Sequence, residues 1–177
     1  IIPYRGSWLD FELGHKALVF VRIDRKRKLF ATILLKALMY TSQEILELFY
    51  DTQKFKIKGI NEFELALIPK RLMGQISPVD ILDKGQLIVF AGERVSARHI
   101  RKIESAKIKT ITQDRESLYG AVLAKDIINP QTGEVVIPCN SILDEDVFKN
   151  LVDSQVSELE ILYINDLESG PYISDTL

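Results

Sequence analysis

The sequence contains few of the residues that carry metal or covalent chemistry. It has one cysteine, Cys139, and two histidines, His15 and His99. A single cysteine excludes an intrachain disulfide and fits a reducing, cytoplasmic location, and these three positions do not match the usual zinc-ligand spacings. Phosphate-binding glycine loops, dinucleotide fingerprints and nucleophile elbows are also absent. We therefore predict no catalytic residue and no metal site, with Cys139 as a half-buried apolar residue and both histidines solvated or packed on helices.

Long apolar runs are absent too. The longest, at residues 31–39, is interrupted by Thr32 and Lys36, whereas a membrane-spanning helix needs roughly 18 apolar residues. The sequence begins without a secretory leader or an initiating methionine, and it ends without a polar tail. With 46% hydrophobic and 27% charged residues, the chain is expected to form one or two small globular domains cut from a longer polypeptide, away from membranes.

Charge is distributed unevenly along the chain. Residues 1–50 hold eight Lys/Arg and five Asp/Glu, whereas residues 129–177 hold Lys149 alone against ten Asp/Glu. A basic start and an acidic end indicate different partners for the two regions.

Two helices are predicted in the first fifty residues. Residues 29–39 are rich in leucine, alanine and isoleucine, and residues 42–49 follow a capping box formed by Thr41 and Glu44. We expect these helices to pack as a hairpin.

The pattern changes near Asp51, where we place a domain boundary. Residues 54–58 and 62–67 alternate between polar and apolar side chains on either side of Gly59-Ile60-Asn61, which predicts a β-hairpin. Residues 69–80 are predicted to be an irregular connection.

An internal repeat follows. Residues 85–92 resemble residues 133–140 at an offset of 48, and the offset also pairs Ser96 with Asp144 at the predicted N-caps of two helices. Each unit therefore reads as strand, turn, helix and strand, with a further strand at 119–128 between them and a turn at 129–133. The fold class is mixed α+β with pseudo-duplicated units; chance likeness of two common stretches is the alternative to true duplication.

Three features are candidates for function. The acidic run Asp144-Glu145-Asp146 could hold a divalent metal, but acids at a helix start are more typical of capping. The only tryptophan, Trp8, could stack on an unpaired base or lie partly in the core. A cationic cluster could contact phosphates or be a solvated turn. Its members are Arg22, Arg25, Lys26, Arg27 and Lys28.

Residues 1–12, Ile-Ile-Pro-Tyr-Arg-Gly-Ser-Trp-Leu-Asp-Phe-Glu, resemble the β subunit of bacterial DNA-directed RNA polymerase. Residues 21–29 and 31–49 continue the likeness, although Phe30 stands where the family pattern has proline. Residues 170–177 resemble the point where the β lobe resumes, and residues 51–169 resemble an insertion carried in that lobe by proteobacterial β subunits. The resemblance thus implies a discontinuous lobe portion, 1–50 and 170–177, hosting an inserted α/β module at 51–169.

The resemblance also implies a function. The family is a nucleotidyltransferase whose two catalytic Mg²⁺ ions are held by the β′ subunit, so this segment would carry no catalytic residue and no cofactor. The lobe lines the downstream DNA channel, the tryptophan matching Trp8 stacks on a non-template base, and the insertion docks regulators that enter the secondary channel. Implied partners are DNA, the α, β′, ω and sigma subunits, and those regulators. The alternative is a free-standing protein-interaction adaptor without a nucleic-acid role.

Overall fold

The computed structural model describes residues 1–59, 61–83, 85–154, 156–165 and 169–177. It is a mixed α+β structure of short helices and antiparallel sheets, as the sequence predicted. The elements in chain order are β1 (Leu9–Leu13), β2 (Val19–Ile23), β3 (Leu29–Phe30), α1 (Ala31–Ala37), α2 (Ser42–Phe49), β4 (Asp51–Ile57), β5 (Glu62–Ala66), α3 (Pro69–Leu72), β6 (Ile81–Asp83), β7 (Gln86–Val89), α4 (Ala97–Ala106), β8 (Thr110–Asp114), β9 (Ile127–Ile128), β10 (Val135–Ile137), α5 (Glu145–Asp153), β11 (Glu158–Tyr163) and α6 (Tyr172–Thr176).

The first part of the chain is a three-stranded sheet followed by helices. Strand β2 lies between β1 and β3 and pairs antiparallel with both. Helices α1 and α2 contact each other and α6, so the predicted helical hairpin is present and the C-terminal helix closes it. The first helix begins at Ala31 rather than Leu29, because Leu29 and Phe30 pair with β2 as strand β3. Thr41 and Glu44 form the predicted capping box at the start of α2.

A four-stranded antiparallel sheet of order β11-β4-β5-β8 organises the rest of the fold. Strands β4 and β5 are the predicted hairpin, and Ile60 of its turn lies outside the described residues. Helices α4 and α5 supply Ile103 and Phe148 to one apolar core that includes Phe55, Phe63 and other sheet side chains. This core is the largest in the described part of the chain, and it accounts for most of the buried apolar side chains.

The two repeated units share a backbone arrangement that extends beyond the predicted likeness. In each unit a two-stranded hairpin, β6-β7 or β9-β10, precedes the helix, and a strand of the four-stranded sheet follows it. The β-bridge between Ile76 and Arg94 has its counterpart between Val122 and Ile142. Equivalent residues of the two units are therefore 46 positions apart before the hairpin turn and 48 positions apart after it. The hairpin turn of the second unit is two residues longer than that of the first.

The segment 119–128 is not the continuous strand that its pattern predicted. Gly120 has φ +82°, and successive residues bond to different partners: the Leu123 amide donates to Ser141 and the Ala124 amide donates to Glu160. Only Ile127–Ile128 forms a strand with β10. The backbone groups of this segment form isolated β-bridges with several partners rather than the continuous hydrogen bonds of one strand pair.

Candidate nucleic-acid interface

The cationic cluster lies at the turn between β2 and β3. Asp24 and Arg25 have φ of 51° and 59°, and the Lys26 amide donates to the Ile23 carbonyl at 3.1 Å. Two consecutive residues with positive φ are typical of a type I′ hairpin turn, whose twist matches that of the flanking strands. The four cations at residues 25–28 lie in and after this turn and are exposed.

Asp24 anchors Trp8 to this turn. The Trp8 amide donates to Asp24 Oδ1 at 2.7 Å, and the Asp24 amide donates to the Trp8 carbonyl at 2.9 Å. A hydrogen bond from Ser7, the bond from the Trp8 amide and the charge of Lys26 together hold the pKa of Asp24 below its ordinary value. The carboxylate therefore stays ionised at neutral pH and fixes the backbone at the indole.

The indole of Trp8 lies at the surface beneath an arginine. It is 37% exposed, and the guanidinium carbon of Arg25 lies 5.1 Å from the ring centroid, a cation–π contact. Trp8 is therefore not a core residue, and the structure brings together two of the sequence-predicted site residues.

The other cations differ in how free they are. Arg22 Nε lies 2.5 Å from Glu12 Oε1 in a cross-strand ion pair between β2 and β1, so its charge is already compensated. Lys28 Nζ lies 4.5 Å above the ring of Phe20. Arg27 is exposed and forms no ion pair with any described residue. Of the five cations predicted from the sequence, the four at residues 25–28 are exposed, whereas Arg22 is half-buried and paired with Glu12.

Asp24 anchors the candidate residue Trp8, but the sequence does not single it out, because the two residues lie 16 positions apart and their contact has no local signal. An aspartate followed by a basic run in a short turn is a usable signal, because Asp adopts the left-handed conformation more readily than most residues.

The residues considered for metal or nucleophilic chemistry have structural roles. Burial, and then the neighbouring Asp126 carboxylate, raise the pKa of Cys139 to about 11, so it remains a thiol at neutral pH. His99 caps α4 together with Ser96, and Asp144 Oδ1 accepts from the Val147 amide at 2.8 Å at the start of α5. Across the described ranges no group of three His, Cys, Asp or Glu side chains is arranged to hold a metal ion.

Comparison with protein-family models places the region that carries this interface among the subunits of DNA-directed RNA polymerases. The matching family is RNA polymerase Rpb2, domain 2, and the match covers residues 1–66. The match supports the β-subunit resemblance for residues 1–66, and with it a part in transcription for this region. The match runs past Asp51 into β5, and the division of the chain into lobe and insertion stays a prediction. No helix in the described part of the chain is long and apolar enough to cross a membrane.

Proposed function

We propose that this chain is an internal part of a bacterial RNA polymerase β subunit, in which residues 1–50 and 170–177 face downstream DNA and residues 51–169 form an inserted docking module. The surface pair of Trp8 and Arg25 is the observation that carries the proposal. An exposed indole beside free cations provides a stacking platform and phosphate contacts together, which is how proteins bind single strands without reading their sequence.

The segment contributes no catalytic group in this proposal. The described residues offer no cluster of carboxylates for the two catalytic Mg²⁺ ions of a polymerase, and those ions belong to the β′ subunit. Nucleotidyl transfer is then the activity of the assembled enzyme with its α, β′, ω and sigma subunits, and this segment positions DNA. The family match favours this reading over a free-standing adaptor, whose sequence would have no reason to match a polymerase domain.

Tryptophan fluorescence tests the stacking role directly, because Trp8 is the only tryptophan. We expect the emission to be red-shifted and to be quenched on titration with a single-stranded oligonucleotide at low salt. Base stacking contributes about 1–3 kcal/mol per base, so the replacement Trp8→Phe is expected to weaken binding less than Trp8→Ala. A blue-shifted emission that does not respond to the oligonucleotide would contradict the proposal.

A charge series tests the phosphate contacts. The double variant Arg25→Gln/Arg27→Gln is expected to weaken binding of a forked DNA and to reduce its salt dependence by about two phosphate contacts. Lys149→Gln on α5 is the matched control, because it removes an exposed cation in the acidic second half of the chain. Equal DNA binding by the double variant and the parent chain would rule out the cationic turn.

A further inference from the structure

Helix α4 presents a row of cations to an open groove. Arg98, Arg101, Lys102 and Ser105 recur at the i, i+3, i+4, i+7 spacing of one helix face. The opposite face supplies Ile100 and Ile103 to the core, so the helix is held rigidly while its basic face remains exposed.

The second wall of the groove is the β6-β7 hairpin. The hairpin residues that line it are Asp83, Gln86, Leu87 and Ile88, of which Leu87 and Ile88 are half-buried, and the volume of the open groove is about 480 Å³. Leu82 pairs with Leu87 across the hairpin and is 53% exposed, so the apolar wall continues to the surface. The groove therefore has one cationic wall and one wall of mixed character, whose apolar part is Leu87 with the exposed Leu82 beside it.

The cations of this groove are not compensated from within the chain. Arg98, Arg101 and Lys102 form no ion pair with any residue that the structure describes, whereas Lys149, which the 48-residue offset aligns with Arg101, pairs with Glu145 and Asp146. The two helices occupy equivalent places in the repeat but carry opposite charge. The uncompensated row on α4 is thus specific to the first unit.

We propose that the groove between α4 and the β6-β7 hairpin binds an acidic, amphipathic helical segment of a protein partner. This inference rests on the proposed role of residues 51–169 as a docking module and gives that partner a chemistry. Carboxylates of the segment would pair with Arg98, Arg101 and Lys102, and its apolar side chains would cover Leu82 and Leu87. A DNA backbone fits less well, because it would leave the leucines uncovered.

The test uses the 177-residue chain and two labelled helical peptides. One peptide alternates Glu and Leu on a single face, and the other has each Leu replaced by Gln. We expect the Glu/Leu peptide to bind measurably by fluorescence anisotropy, the Glu/Gln peptide to bind more weakly, and a 20-base-pair duplex to compete poorly. Amide chemical-shift changes on titration should fall on residues 97–106 and 81–89.

Two charge reversals separate the groove from general electrostatics. Arg98→Glu/Arg101→Glu should weaken binding of the Glu/Leu peptide about tenfold or more, because each reversed side chain replaces an attraction with a repulsion. Lys149→Glu, the aligned control, should leave binding unchanged. Both variants alter exposed positions, and circular dichroism checks that they fold.

Three results would overturn the inference: no binding of the Glu/Leu peptide, equal loss in both charge variants, or a duplex that binds α4 more tightly than the peptide. Quenching of Trp8 by single-stranded DNA is measured on the same samples. If single-stranded DNA still quenches Trp8 but the Glu/Leu peptide does not bind the groove, the inference is wrong and the polymerase role stands. If quenching fails while the groove binds the peptide, the DNA-facing role is the part that falls.

Discussion

At the scale of single residues, Asp24 determines where the only tryptophan is held. Its carboxylate accepts from the Trp8 amide, and the hydrogen bonds from Ser7 and Trp8 lower its pKa. A carboxyl group whose pKa is lower in the folded state stabilises the fold above its unfolded pKa, and this contribution is lost as the pH falls through the folded value. The anchor should therefore persist to a pH below the ordinary carboxyl value of 3.8.

The lowered pKa of Asp24 predicts how the emission of Trp8 depends on pH. In acid titrations we expect a change in Trp8 emission with a midpoint below 3.8, and Asp24→Asn, which cannot titrate, should abolish that step. Far-UV circular dichroism over the same range serves as the control for global unfolding. A midpoint at the ordinary value, or the same step in the Asn variant, would show that Asp24 does not hold the indole.

Tyr50 is the residue that fastens the C-terminal helix. Its buried hydroxyl donates to the Gly170 carbonyl at 3.0 Å and accepts from the amides of Ile173 and Ser174, each at 3.1 Å. Tyr50→Phe would leave these backbone groups without their partner, which we expect to lower the free energy of unfolding by about 1–3 kcal/mol. Urea denaturation measures the loss, and Tyr40→Phe, at an exposed position, should change stability little. Equal stability of the two variants would contradict the role of Tyr50.

The sequence could single out Trp8 and the cations, because residue type alone marks them as candidates for stacking and phosphate contact. It could not show that Arg22 is neutralised. Its partner Glu12 lies ten residues away, and the two meet only through the register of β1 with β2. Availability of a charge depends on tertiary pairing, which composition does not encode.

At the scale of elements, the two repeated units share an aspartate side chain that accepts a hydrogen bond from a backbone amide across the hairpin. Asp80 Oδ1 accepts from the Ala91 amide, and Asp126 Oδ1 accepts from the Cys139 amide, both at 2.6 Å. The aspartates are 46 residues apart and the amides 48 apart, the same offsets that relate the β-bridges. Coincidence of two common stretches does not explain matching side-chain bonds at matching positions, so the structure favours true duplication.

The shared device predicts matched mutational effects. Asp80→Ala and Asp126→Ala should each destabilise the chain by up to about 3 kcal/mol, the upper contribution of a hydrogen bond to a charged group, and by similar amounts. The Asn replacements retain an acceptor oxygen and should recover part of the loss. Thermal unfolding provides the measurement; a large effect at one aspartate and none at the other would show that the units have diverged in how they fold.

Local signals and long-range pairing explain which elements the sequence could predict. The capping box of Thr41 and Glu44 is local, and the helix begins there as expected. Strand β3 has no local signal, because Leu29 and Phe30 become a strand by pairing with Val21 and Phe20. The discontinuous bridges at Val122 and Leu123 likewise depend on partners far along the chain.

At the scale of the whole molecule, the predicted lobe portion and the predicted insertion are in direct contact. A second apolar cluster brings Leu46 and Tyr50 together with Val122, Ala124 and Leu162. Lys125 lies between two carboxylates, 3.6 Å from Glu47 of α2 and 3.3 Å from Glu160 of β11. The buried apolar cluster couples the stability of the two parts.

This coupling yields a prediction for Leu46, which is fully buried in the second cluster. Leu46→Ala removes apolar contacts and leaves a cavity, so we expect a loss of about 2–5 kcal/mol. Because Val122 and Leu162 border the same space, hydrogen exchange should accelerate in β11 and the 121–124 segment as well as in α1 and α2. Leu48→Ala, at an exposed position of the same helix, is the control, and Leu46→Val offers a milder variant should the alanine form fail to fold. Faster exchange confined to residues 1–50 would mean that the two parts unfold independently, and the cluster would then be a contact between separate domains rather than a common core.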